Sequence, residues 1–171
     1  MEDSLAPSVR TVGIRYGMIS AGISVASFLL LHFGGLGPFN SSWGWVRLAI
    51  GIAIVVMAHK YFKDNGDGFM SFGQGFGMGF WITLISLAIG TGFTYLFVTF
   101  IDQTPMDDFY QEQLESMQEK GMPDDQIDVA FEWTRKLFWG IAIVFGFIFG
   151  LLIPLIVTIF TQKKNPQGEM M

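Results

Sequence analysis

Thirty consecutive residues, Phe72 to Ile101, carry no charged side chain. A run of that kind reads as a membrane-spanning helix, because a charge left at mid-bilayer costs a few kcal/mol or more. A straight helix of this length would measure about 45 Å at 1.5 Å per residue, against about 30 Å of hydrocarbon. The surplus must tilt, lie at the interface or be irregular. Gly73, Gly75, Gly77 and Gly79 make the first turns the expected irregular part.

Three further apolar blocks repeat the pattern at about 12–33, 45–62 and 137–160, which predicts an all-α chain forming a four-helix transmembrane bundle. The 171 residues suffice for one integral-membrane domain, and the 15% of charged residues are bunched between the apolar blocks. The first block is too long for a signal peptide, contains Arg15 and is followed by no A-x-A-like cleavage site, so it reads as a retained span. Trp43 and Trp45 after the Gly34–Ser42 connector fit an interfacial belt. The fourth block carries Gly146-x-x-x-Gly150, with Pro154 as an expected kink. Beyond Lys164 the tail is expected to be disordered.

Small residues recur every three or four positions on two of these blocks. Gly13, Gly17, Ala21, Ser24 and Ser27 share one face of the first. Gly75, Gly79, Thr83, Ser86, Gly90 and Thr94 share one face of the third. Such faces let helix backbones approach closely, so the first and third spans are expected to touch.

The only sizeable extramembrane piece is an acidic helical loop, 102–136, between the third and fourth spans. Thr104-Pro105-Met106-Asp107 opens a helix with threonine as cap, and Gly121 stops it. A second helix from Pro123-Asp124-Asp125 continues through Trp133 into the fourth span. The loop holds ten of the fifteen acidic residues, and the net charge of −5 argues against nucleic acid. With four spans, the termini and the turn after the second span share one face. That face holds Arg10, Arg15, Lys60, Lys63, Lys163 and Lys164, six of the ten basic residues, which favours cytoplasmic termini.

The segment A-H-K-Y-F-K-D-N-G-D-G-F-M-S-F-G-Q-G-F-G-M-G-F, Ala58 to Phe80, resembles the most recognisable motif of the family called domain of unknown function 4199. Arg15-Tyr16-Gly17 and Ile101-Asp102 are similar to that family too. The likeness covers nearly the whole chain, although Gln103-Thr104 intervene before Pro105 where the family's I-D is usually followed by proline. The resemblance implies a four-span inner-membrane protein of Bacteroidota-type bacteria, and no activity.

The turn Lys63-Asp64-Asn65-Gly66-Asp67-Gly68 places Asn65 and Asp67 at the third and fifth positions of a calcium loop. Lys63 and Gln74 then stand where an aspartate and a bidentate glutamate are needed, so a plain Asx/Gly turn is expected. The G-x-G-x-G-x-G run at Gly73–Gly79 lacks the lysine and Ser/Thr of a phosphate loop. It reads as close helix packing or as a broken, cavity-lining segment. Arg15, His32, Arg47, His59 and Asp102 lie near span ends as interfacial anchors. As ion pairs, Arg47 or Arg135 would meet Asp102 outside, and Arg15 would meet Asp64 or Asp67 inside.

No catalytic residue, cofactor or metal site is expected, since a serine nucleophile needs a nearby base and the two histidines fall at opposite membrane faces. There is no cysteine, which excludes disulfides and thiolate metal sites. The expected partner is the lipid bilayer. The expected role is an interaction, accessory or scaffold subunit packing through its glycine faces, as a homo-oligomer or with a larger membrane protein. The alternative is small-solute, ion or lipid binding or transport between the first and third spans. A polar cavity around Ser24, Ser86 and Thr94 distinguishes the two.

Overall fold

The computed structural model describes residues 7–39 and 41–165. The tail expected to be disordered lies, from residue 166 onward, outside the described residues. Among the described residues five helices follow one another: α1 (Val9–Phe33), α2 (Gly44–Asp64, after a 3-10 turn at Ser41–Trp43), α3 (Phe72–Phe100), α4 (Thr104–Glu119) and α5 (Asp124–Thr161). Four of them, all but α4, are long and apolar enough to cross a membrane. Large apolar side chains such as Leu30, Phe100, Phe145 and Phe160 stand exposed on their outer faces. In a bilayer such a surface is solvated by acyl chains.

Local chemistry sets the helix ends. The Ser8 hydroxyl accepts from the Thr11 amide and caps α1. Ser71 and Gln74 close a capping box on α3, each side chain bonding the other's amide. That box begins α3 as regular helix at Phe72, so the irregular first turns expected from Gly73 to Gly79 do not occur. The calcium-like turn is a plain one: Asp67 Oδ1 accepts from the Phe69 amide, and Gly68 takes a left-handed conformation (φ +79°). Thr104 is the first residue of α4 and not its cap. Its amide is held by Asp102 Oδ1 at 2.9 Å. Gly121, at φ +70°, ends α4 as expected. α5 runs unbroken from the loop through Pro154 to Thr161.

In the bundle α3 packs most extensively on α1 and next on α5, while α2 bridges α1 and α5 on the opposite side. The four spans thus form a ring in the order α1, α2, α5, α3. Glycines bring its walls together, yet they do not meet glycines. A Cβ on Gly13 would lie 2.6 Å from Trp81 Cβ, and one on Gly17 2.9 Å from Ile85 Cβ. The small face of α1 therefore receives the bulky face of α3. The small face of α3 is turned to α5: Gly75 receives Thr158 and Gly79 receives the Pro154 ring, whose Cβ would lie 1.9 Å from an added Cβ. Gly150 receives Thr83, and Gly146 receives Leu87. Knob into notch, not notch against notch, holds the ring.

Two apolar clusters cap it. Towards the termini, Val12, Ile54, Val55, Met78, Ile82 and Val157 form one core. Towards the acidic loop, Phe28, Phe97, Val98 and Met106 form another, flanked by Phe39, Phe93, Tyr110 and Phe138. Edge-to-face ring contacts, for example Phe28 on Phe97 at 5.2 Å, tie the second together.

Candidate functional site

Between the two clusters the ring axis is not filled. One cavity of about 230 Å³ is lined by Ser20, Ser24, Ser27, Arg47, Gly51, Gly90 and Thr94, among others. A second, of about 350 Å³, adjoins it and is lined by Ser24, Thr83, Ser86, Gly90, Thr91, Thr94, Gly146 and Gly150, among others. The two share Ser24, Phe39, Gly51, Gly90 and Thr94, and form one chamber. Its floor is Val55, Ile82 and Ile153, and its roof is Phe39, Phe138 and Trp139.

The sequence causes this directly. Gly90 has only Ser24 near its Cβ position, at 3.9 Å, so the part of the small-residue stripe expected to seal α1 to α3 leaves room instead. Ser24 is exposed although it stands mid-helix, because it faces the void. Ala21, by contrast, is buried. The Thr83 hydroxyl donates to Gly150 O at 3.0 Å, and the Ser86 hydroxyl to Thr83 O at 3.3 Å. A polar void inside a span holds water or a ligand, since apolar cavities alone stay dry.

Arg47 sits where the chamber meets the loop-side end of α2, and its guanidinium donates to the Pro38 carbonyl. The expected pairing of Arg47 or Arg135 with Asp102 does not form. Asp102 follows the last turn of α3 beside the end of α1, and His32 Nε2 reaches its Oδ2 at 3.1 Å. Hydrogen bonds from Thr104, side chain first and amide second, hold the Asp102 carboxyl below its ordinary range, with His32 contributing less. Arg135 lies over the Tyr110 ring at 5.5 Å. Arg15 pairs with neither Asp64 nor Asp67 but lies over the Tyr61 ring at 4.9 Å. Both cations are thus held over aromatic faces and not in ion pairs.

His59 is the residue that sequence reasoning misplaced. It is fully buried rather than interfacial. Its Nδ1 lies 2.7 Å from Thr161 Oγ1 and its Nε2 3.1 Å from Gly75 O. Gly75 O can only accept, so Nε2 carries a proton towards it, while the single Thr161 hydroxyl proton has both Nδ1 and Val157 O, at 2.8 Å, within reach. Lys63 Nζ donates to Thr161 O at 2.9 Å, and Met70 and Lys163 exchange two 2.9 Å backbone bonds. Together these fasten the end of α5 to α2 and the start of α3. The signal available in sequence was the position of His59 one turn before Lys63, on the face of Val55 and Phe62.

No curated protein and no solved structure matches the chain. The model of a protein family of unknown function, DUF4199, matches residues 15–163, and the chain belongs to that family.

Proposed function

We propose that this multipass membrane protein binds a small polar or amphiphilic molecule in the chamber at its ring axis, without transforming it chemically. The carrying observation is the chamber itself: serine and threonine side chains face a void midway through four spans, with Arg47 at its loop-side edge. An ionisable residue facing a bundle interior marks a functional position by default. The interaction or accessory role, as homo-oligomer or partner subunit, has less to support it. Gly13, Gly17, Gly75, Gly79, Gly146 and Gly150 are already occupied by the chain's own side chains.

Gly90→Leu tests the reading, because the position has room for a side chain that would fill the chamber. Native mass spectrometry of protein extracted in mild detergent is expected to show a retained small molecule on the natural chain. Folded Gly90→Leu protein should lack it. Equal occupancy of both would refute chamber binding.

The proposal places the protein in the inner membrane of a bacterium with both termini cytoplasmic. The support is the family resemblance and the six basic residues on the terminal side against four on the other. With no native thiol in the chain, single cysteines at Asn65 and Ser116 report orientation. In intact cells a membrane-impermeant maleimide should label Ser116→Cys and spare Asn65→Cys. The reverse pattern inverts the topology.

A further inference from the structure

We infer that the molecule held at the chamber is an anionic lipid, whose acidic headgroup meets Arg47 and whose acyl chain lies in the groove between α2 and α5. The inference rests on the chamber reading and names its ligand and its route. Floor and roof are both apolar, the floor aliphatic and the roof a set of interlocked rings, so neither aqueous face offers a polar path. The openings are lateral. A groove of about 490 Å³ between α2 and α5 is lined by Arg47, Ile52, Phe149, Ile156 and Val157, and it shares Gly150 and Ile153 with the chamber. A smaller apolar groove between α1 and α2 also ends at Arg47.

Among the described residues lining the chamber and these two grooves, Arg47 alone carries a charge. One cation at the head of an apolar channel is complementary to one anion at the head of an apolar chain. A guanidinium suits that anion because its fork can bind a phosphate or carboxylate through two parallel hydrogen bonds. Length agrees as well. From Phe149 to Val157 the groove runs about 12 Å along α5, close to the ~15 Å that one leaflet of hydrocarbon provides. Gly51, on the chamber wall beside the groove, adds no side chain of its own: only Ile153 Cδ1, at 3.3 Å, stands near its Cβ position. A water-borne phosphate would share the headgroup chemistry and would have no use for the groove.

The test uses the full chain in nanodiscs made from equal parts phosphatidylcholine and phosphatidylglycerol. Native mass spectrometry after release should show phosphatidylglycerol retained about tenfold over phosphatidylcholine, the scale of a charge-assisted hydrogen-bond pair. Arg47→Gln should bring the ratio to parity. Ile52→Trp, at an exposed groove position that leaves Arg47 in place, should reduce total retained lipid. It serves as the second variant if Arg47→Gln fails to fold. A parallel arm adds soluble glycerol phosphate to protein in phosphatidylcholine alone. Saturable binding there, with no phosphatidylglycerol preference in the first arm, overturns the lipid inference and leaves the chamber reading standing. Phosphatidylglycerol preference that survives both variants overturns the assignment to this groove. A retained lipid that is unaffected by Gly90→Leu, yet lost in Arg47→Gln, supports the groove and refutes the chamber.

Discussion

Gly79→Leu will yield no stably folded protein. The nearest atoms to an added Cβ belong to the Pro154 ring, at 1.9 Å and 2.6 Å, and a proline ring has no rotamer by which to withdraw. Overpacking costs about 1–3 kcal/mol where neighbours can shift, and more where they cannot. Here α3 and α5 would have to part along their whole contact, so even Gly79→Ala should lose about 3 kcal/mol. The control is Gly92→Ala, where nothing lies within 4 Å; it should gain up to about 1 kcal/mol from helix propensity. Adding Pro154→Ala to Gly79→Ala should recover much of the loss, and that non-additivity is the signature of direct contact. Thermal or denaturant unfolding in detergent reads all four. If Gly79→Leu unfolds at the natural protein's midpoint, the α3–α5 interface is wrong.

His59→Ala should cost about 3 kcal/mol, the sum of an emptied buried site and two hydrogen bonds. The loss has a location as well as a size. Without the imidazole, Thr161 can still bond Val157 O and Gly75 O is still within a helix, so the damage falls on the join between α2, α3 and the end of α5. Amide exchange at Met70 and Lys163 should accelerate more than exchange at Phe97 or Val98, in the far cluster. His59→Gln, which keeps one donor and one acceptor, should recover part of the stability. Uniform acceleration at both ends would show that His59 supports the whole ring and not one fastening.

The spans and their order were legible because a charge-free run is a local signal: α3, Phe72–Phe100, fills the uncharged stretch that ends before Asp102, whereas the cap at Ser71 went unread. The contact between α1 and α3 was legible from the α1 side alone, in the spacing of Gly13 and Gly17; the α3 stripe, read as its other half, faces α5 instead. What each glycine receives was not legible. A small residue marks a notch, and the sequence does not say whether a neighbour's knob or an empty space stands opposite. Gly79 and Gly90 look alike in the stripe, yet one holds a proline ring and the other borders the chamber. The ion pairs failed for a related reason. Charge complementarity along a sequence ignores aromatic rings and backbone carbonyls, which are what Arg15, Arg135 and Arg47 meet. Burial of His59 depended on where the end of α5 lands, some hundred positions later in the chain.

The 38 residues of α5 form one rod of about 57 Å, nearly twice the hydrocarbon thickness. Its foot is pinned at Thr161 and Lys163, and its head stands among the acidic residues outside the bilayer. The head is held in turn, by Tyr110 of α4 on Phe131 at 5.7 Å, and between the two fastenings Gly146 and Gly150 form one wall of the chamber. Between that foot and the wall at Gly146 and Gly150 stands Pro154, whose ring removes one rung of the helix's hydrogen-bond ladder, so any flexing of α5 inside the membrane is concentrated next to the chamber.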